Sequence, residues 1–143
     1  MNVKQISVFL ENKPGYLFSM TRVLADHGID MRAFSLAESS DFGIARLIVD
    51  DVLATATVLK EAGFVCSLTP VLAVSVPDVP GGLNQVLSLL SADDINVEYM
   101  YAFLGAKHGK AYMVFRVADV ARAAASLIAS GIKLVEQDEL SDI

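Results

Sequence analysis

A segment that occurs twice at one fixed spacing constrains this chain more than any other feature. Pro14-Gly15-Tyr16-Leu17 recurs as Pro80-Gly81-Gly82-Leu83, an offset of 66 residues. The same offset joins Leu24 to Leu90, Ile29 to Ile95, Gly43 to Gly109 and Ala45 to Ala111, while Val8 and Leu10 match Val74 and Val76. Beyond Val49 the second copy reads as two residues longer, so Gly63-Phe64 aligns with Gly131-Ile132. A period of about 20–50 residues would mean a solenoid or a propeller. Two long copies mean two small, similar domains, expected over residues 1–69 and 70–143. Domains of roughly 70 residues lie near the lower limit of independent stability, so the copies are expected to share an interface.

Hydrophobic spacing assigns the elements. In copy one Ile6, Val8 and Leu10 alternate as a strand, and Lys13-Pro14-Gly15 makes a turn. Leu17, Met20, Thr21 and Leu24 then follow the i, i+3, i+4, i+7 stripe of an amphipathic helix, with Gly28 placed to end it. Residues 31–37 and 42–49 read as a hairpin. Asp51 is placed to cap a second helix that Gly63 ends, and residues 64–68 read as a fourth strand. Copy two predicts strands near 72–76, 97–105, 109–117 and 132–136 and helices near 82–93 and 119–130. Thr69-Pro70 is the expected break between the copies, and residues 136–142 read as an acidic, solvated tail. The order β-α-β-β-α-β in each copy predicts an α+β fold of two ferredoxin-like units with antiparallel sheets.

Catalytic constellations are missing. His27 and His108 lack repeated equivalents and stand in no metal-binding spacing, and no nucleophile elbow or phosphate loop occurs. Cys66, the single cysteine, excludes an internal disulfide and a multi-cysteine metal cluster. The expectation is therefore a protein with no catalytic residues, no metal and no cofactor. A net charge of −6 disfavours nucleic acid or an anionic membrane as partner. Hydrophobic residues make up 54% of the chain, but no run approaches the ~18 apolar residues of a membrane span. The first residues carry no apolar leader, so a cytoplasmic address is expected.

The repeated loop carries the chemistry. Each Pro-Gly turn leads into a helix N-terminus, where free N–H groups and the dipole suit a carboxylate. Asn12 is joined by Asp30 and Asp78 by Asn96, each pair 18 residues apart, giving each copy one amide and one carboxylate. Such groups suit an α-ammonium, and together with the helix end they describe a place for a free amino acid. The plainer alternative is a tight turn with a strand-opening polar residue. Tyr16 against Gly82 marks a difference between the copies, with more room expected beside Gly81-Gly82.

The run Glu11-Asn12-Lys13-Pro14-Gly15-Tyr16-Leu17, with Gly28-Ile29-Asp30-Met31 after it, resembles the ACT domain, an amino-acid-sensing regulatory module. Pro80-Gly81-Gly82-Leu83 and Asp94-Ile95-Asn96-Val97 repeat the resemblance, which covers nearly the whole chain as two consecutive ACT domains with no catalytic domain attached. It implies sheets paired side by side and a ligand at the interface of paired domains. It also implies ligand contacts from Asn12, Pro14, Gly15, Tyr16, Leu17, Asp30 and Met31 in copy one. In copy two the implied contacts are Asp78, Pro80, Gly81, Gly82, Leu83, Asn96 and Val97. Asp30 and Asp78 depart from the family's usual asparagines. A homodimer that modulates an enzyme of amino acid metabolism in trans is the expected partnership.

Two rivals share the fold. One is a ligand-free ACT-like adaptor subunit. The other is an RNA-binding module, because His108-Gly109-Lys110-Ala111-Tyr112-Met113-Val114-Phe115 superficially resembles an RNA-contacting strand. Lys110, where a stacking aromatic is wanted, and the negative net charge argue against the second.

Overall fold

Ile6, Val8 and Leu10 place their side chains on one face of strand β1 (Val3–Glu11) and are all buried. The computed structural model describes residues 3–105 and 109–143 of the chain; His108 lies outside them. The chain divides into two units, one of residues 4–69 and one of residues 70–143 with residues 1–3.

In the unit of residues 4–69, β1 leads to α1 (Tyr16–Asp26), the hairpin β2 (Met31–Glu38) and β3 (Phe42–Val49), and α2 (Val52–Glu61). β3 is antiparallel to both β1 and β2, with Val8 opposite Ala45 and Phe34 opposite Leu47. Ala45, Leu47 and Val49 therefore share a face with Ile6, Val8 and Leu10, and Met20, Leu24 and Leu59 from the two helices close the core. Each of these buried side chains larger than Ala45 stabilises the unit by roughly 1.5–3 kcal/mol. Asp51 caps α2 by accepting from the Ala54 N–H at 3.0 Å, as the sequence predicts. Gly28 and Gly63 end the helices in the left-handed conformation, at φ 66° and 92°.

β4 (Val65–Pro77) runs as one strand through Pro70, so the expected interruption between two strands at Thr69-Pro70 does not form, although the division between the units falls there. Proline only removes a donor, and the ladder with the next strand begins beyond it, at Leu72 opposite Phe115. The Pro70 carbonyl meanwhile accepts from Arg116 Nη1 at 3.1 Å.

The unit of residues 70–143 repeats the course with α3 (Gly82–Ala92), β5 (Tyr99–Ala102), β6 (Lys110–Arg116), α4 (Val120–Ala129) and β7 (Leu134–Val135). β6 lies between β4 and β5, all antiparallel, and β7 flanks β4. Leu72, Val74, Val76, Val86, Leu90, Phe115 and Leu127 form its core. Asp119 caps α4 through the Arg122 N–H at 3.0 Å.

The strand register relocates the length difference between the copies. Val8 faces Ala45 and Val74 faces Met113, so β1 maps onto β4 at an offset of 66 but β3 maps onto β6 at 68. Phe34 faces Leu47 and Met100 faces Phe115, which keeps β2 and β5 at 66. The two extra residues thus lie in the second hairpin, upstream of β6, and the structural counterpart of Gly43 is Ala111 rather than Gly109. Both alignments put apolar residues on the core face because side chains alternate with period two, so the pattern alone could not choose between them.

The acidic C-terminus is structured. Gln137–Asp142 forms a 3₁₀ segment opened by a capping box between Glu136 and Glu139, and Leu140 in its middle is fully buried. One apolar residue among charged neighbours escaped the periodicity reading.

Candidate ligand-binding site

The turn after β1 is built by its backbone. The Lys13 N–H donates to the Glu11 carbonyl at 2.9 Å, and the Tyr16 N–H reaches the Lys13 carbonyl at 3.4 Å. Gly15 takes φ 90° at the N-cap of α1, a conformation that L side chains rarely adopt. No side chain caps this helix, and its first turn holds no acidic residue, so beyond the Tyr16 N–H its leading N–H groups have no side-chain partner from the cap. The second loop is its copy. The Val79 N–H donates to the Pro77 carbonyl at 2.9 Å, the Gly82 N–H to the Val79 carbonyl at 3.0 Å, and Gly81 caps α3 at φ 85°.

Beside the first loop lies a cleft of about 590 Å³, lined by Asn12, Pro14, Gly15 and Leu17 with Leu10, Glu11, Lys13, Leu36, Glu38 and Gly43. Four of the sequence-predicted residues of copy one therefore meet at one concavity. Asn12 Nδ2 donates across it to Glu38 Oε2 at 3.3 Å and to the Ser39 carbonyl at 3.2 Å. The Tyr16 hydroxyl, outside the lining, hydrogen-bonds Glu11 and, with Lys13, holds that carboxyl below the usual glutamate range. Lys13 Nζ stands 3.3 Å from Glu11 Oε2.

Asp30 and Met31 do not join this cleft. Asp30 is exposed and pairs with Arg32 Nη1 at 3.6 Å, while Arg32 also grips Asp50 through Nε and Nη2 at 3.0 and 2.9 Å. Met31 packs against the core of its own unit. In copy two, Asp78, Pro80 and Gly81 are exposed on the loop, Asn96 is exposed, and Leu83 and Val97 pack against the core. Gly82 is buried against the Pro77 carbonyl, so it gives the loop no extra room and the expected roomier mouth is corrected.

Sequence reasoning missed Glu38, Leu36 and Gly43. The cleft is assembled by pairing β1 with β3 and β3 with β2, and no local motif marks the end of a strand as a wall of a distant loop.

His27 Nδ1 lies 2.9 Å from the Val23 carbonyl at the end of α1, away from the cleft lining. Among the described residues one acidic trio, Glu136, Asp138 and Glu139, has ligand atoms within 4.8 Å of one another. Its Glu139 is committed to Lys133 and the Glu136 N–H, at 3.2 and 3.1 Å. No helix among the described residues is long and apolar enough to cross a membrane.

The solved structure of protein BT0572 from Bacteroides thetaiotaomicron is similar over 100% of this chain and 98% of its own, with 38% identity and a TM-score of 0.92. The ligand-free regulatory subunit of aspartate kinase from Thermus thermophilus shares the fold at 15% identity and a TM-score of 0.65, over 91% of this chain and 93% of its own. The corresponding subunit from Thermus flavus does so at 18% identity and a TM-score of 0.64, over 92% of each chain. No curated protein matches the chain. The model of the ACT domain pair matches residues 1–143, and the chain belongs to that family.

Proposed function

We propose that this protein is a non-catalytic regulator that binds a free amino acid beside the Pro14-Gly15 loop and transmits the binding event to an enzyme of amino acid metabolism. The observation that carries the proposal is the cleft joining Asn12, Pro14, Gly15 and Leu17 to the uncapped start of α1. The helix N-terminus suits the ligand's α-carboxylate, and Gly15 leaves the backbone accessible. Leu10, Pro14, Leu17 and Leu36 offer apolar walls, which favours amino acids with apolar side chains.

The ACT resemblance proposes further contacts outside this cleft, from Tyr16 and Met31 in copy one and from Asp78, Pro80, Gly81, Gly82, Leu83, Asn96 and Val97 in copy two. In this reading a paired ACT domain closes the open side of the cleft, and the chain acts as a homodimer. The fold shared with regulatory subunits of aspartate kinase supports an enzyme partner in trans. Regulation follows if the ligand binds one packing of the domains more tightly than another.

Thermal unfolding with each of the twenty amino acids tests the reading. One or a few should raise the midpoint progressively with concentration, as linkage requires. Gly15→Asp, which places a strained, negatively charged side chain at the mouth of α1, should abolish that response while the protein remains folded. A flat response to all twenty would favour the ligand-free adaptor instead.

A further inference from the structure

Glu38 ends β2 at the wall of the first unit's cleft. The other carboxylate of the lining, Glu11, is already engaged by the Tyr16 hydroxyl and by Lys13. Asp30, the acid that the ACT resemblance implies, is held by Arg32 and does not line the cleft. Among the described residues no lysine, arginine or histidine pairs with Glu38; its hydrogen bond comes from the neutral amide of Asn12 at 3.3 Å. An ionised carboxylate offers about four acceptor positions, so most of this one's capacity is unspent. Because Asn12 Nδ2 donates to both Glu38 and the Ser39 carbonyl, the Asn12 Oδ1 atom is left as a second acceptor beside it. A carboxylate and a carbonyl set side by side, with no cation among the described residues paired to them and Lys13 of the same lining engaged by Glu11, suit an ammonium group. In the second copy the counterparts of Asn12 and Glu38 are Asp78 and Leu104, so the strand-end acid has no equivalent there.

Resting on the amino-acid reading above, we propose that Glu38, rather than Asp30, is the carboxylate that receives the α-ammonium group of an amino acid in the first unit's cleft. Asn12 is then the positioning partner of Glu38 as well as a contact in its own right.

The test is calorimetric titration of the full chain with the twenty amino acids, followed by the tightest binder and its desamino carboxylic acid against E38Q and D30N. In E38Q the side-chain oxygen still accepts from Asn12, so the local geometry is kept and only the charge is removed. Glu38 is exposed, and matching urea denaturation curves will show that the variant is folded. Loss of a charge-assisted contact should weaken the amino acid about 10- to 100-fold in E38Q, while D30N stays within about threefold of wild type. The desamino acid, lacking the ammonium, should bind wild type and E38Q with equal, weak affinity.

Equal weakening of both compounds by E38Q would make Glu38 a structural residue and overturn the inference. So would an E38Q protein that binds the amino acid normally, or a D30N protein that loses as much. Absence of binding by wild type to any of the twenty would remove the amino-acid reading itself, and the inference with it.

Discussion

Gly82 is packed so closely beneath Pro77 that a Cβ added to it would fall inside the van der Waals envelope of the Pro77 carbonyl oxygen. The backbone there is helical, so the obstacle is space alone. Gly15, in the first loop, is the opposite case. A Cβ there meets nothing within 4 Å, but φ is 90°. Gly82→Ala should destabilise the second unit by about 1–3 kcal/mol through overpacking against backbone. Gly15→Ala should destabilise the first by about 1 kcal/mol through its left-handed conformation. Urea denaturation of both variants separates the two mechanisms, and similar small losses would refute the packing argument.

Asp94 stands where Gly28 stands in the first copy, and it adopts φ 56° to end α3. Both helices close with the same bond: the Ile29 N–H reaches the Leu24 carbonyl and the Ile95 N–H the Leu90 carbonyl, each at 2.9 Å. Asp94→Gly should therefore raise stability by about 0.5–1 kcal/mol by relieving left-handed strain. A lower thermal midpoint for this variant would contradict it.

Asp51 and Asp119 occupy equivalent caps of α2 and α4, each accepting at 3.0 Å from an N–H three residues on. Asp51→Ala and Asp119→Ala should each cost about 1 kcal/mol. The losses should add in the double variant if the caps act independently, and chemical denaturation of the three variants would check it.

Leu140 and Glu139 tie down the C-terminal segment. Leu140→Ala should cost about 2–5 kcal/mol, as truncation of a fully buried leucine does. The Glu139 carboxyl is held below the ordinary glutamate value by the Glu136 backbone N–H and then by Lys133. A depressed carboxyl contributes stability that is complete above its unfolded value, ~4.3, and fades as pH falls through the folded value. The midpoint difference between wild type and E139Q should be open at neutral pH and narrow progressively as the pH falls below the unfolded value, ~4.3. A difference independent of pH would show that the charge plays no part.

Helix ends and core stripes were legible because each is encoded locally. Asp51, Gly63 and the Leu17, Met20, Leu24 spacing announce themselves within a few residues. The Pro-Gly loops were legible because they occur twice. Glu38 was not, since its place in the cleft depends on Leu10 facing Gly43 and Gly43 facing Glu38 across three strands. Leu140 was hidden for a different reason: a single apolar residue between Glu139 and Ser141 has no period to reveal it. Pro70 misled because its missing donor matters only where a partner strand needs it.

The longer hairpin between β5 and β6 carries a rule of parity. A single added residue would have turned β6 over, exchanging Phe115 on the helix-facing side with Val114, which is buried on the other. Two residues leave every side chain on its own side. Lengthening or grafting at this hairpin is thus quantised: even steps alter only the tip, whereas odd steps invert a strand.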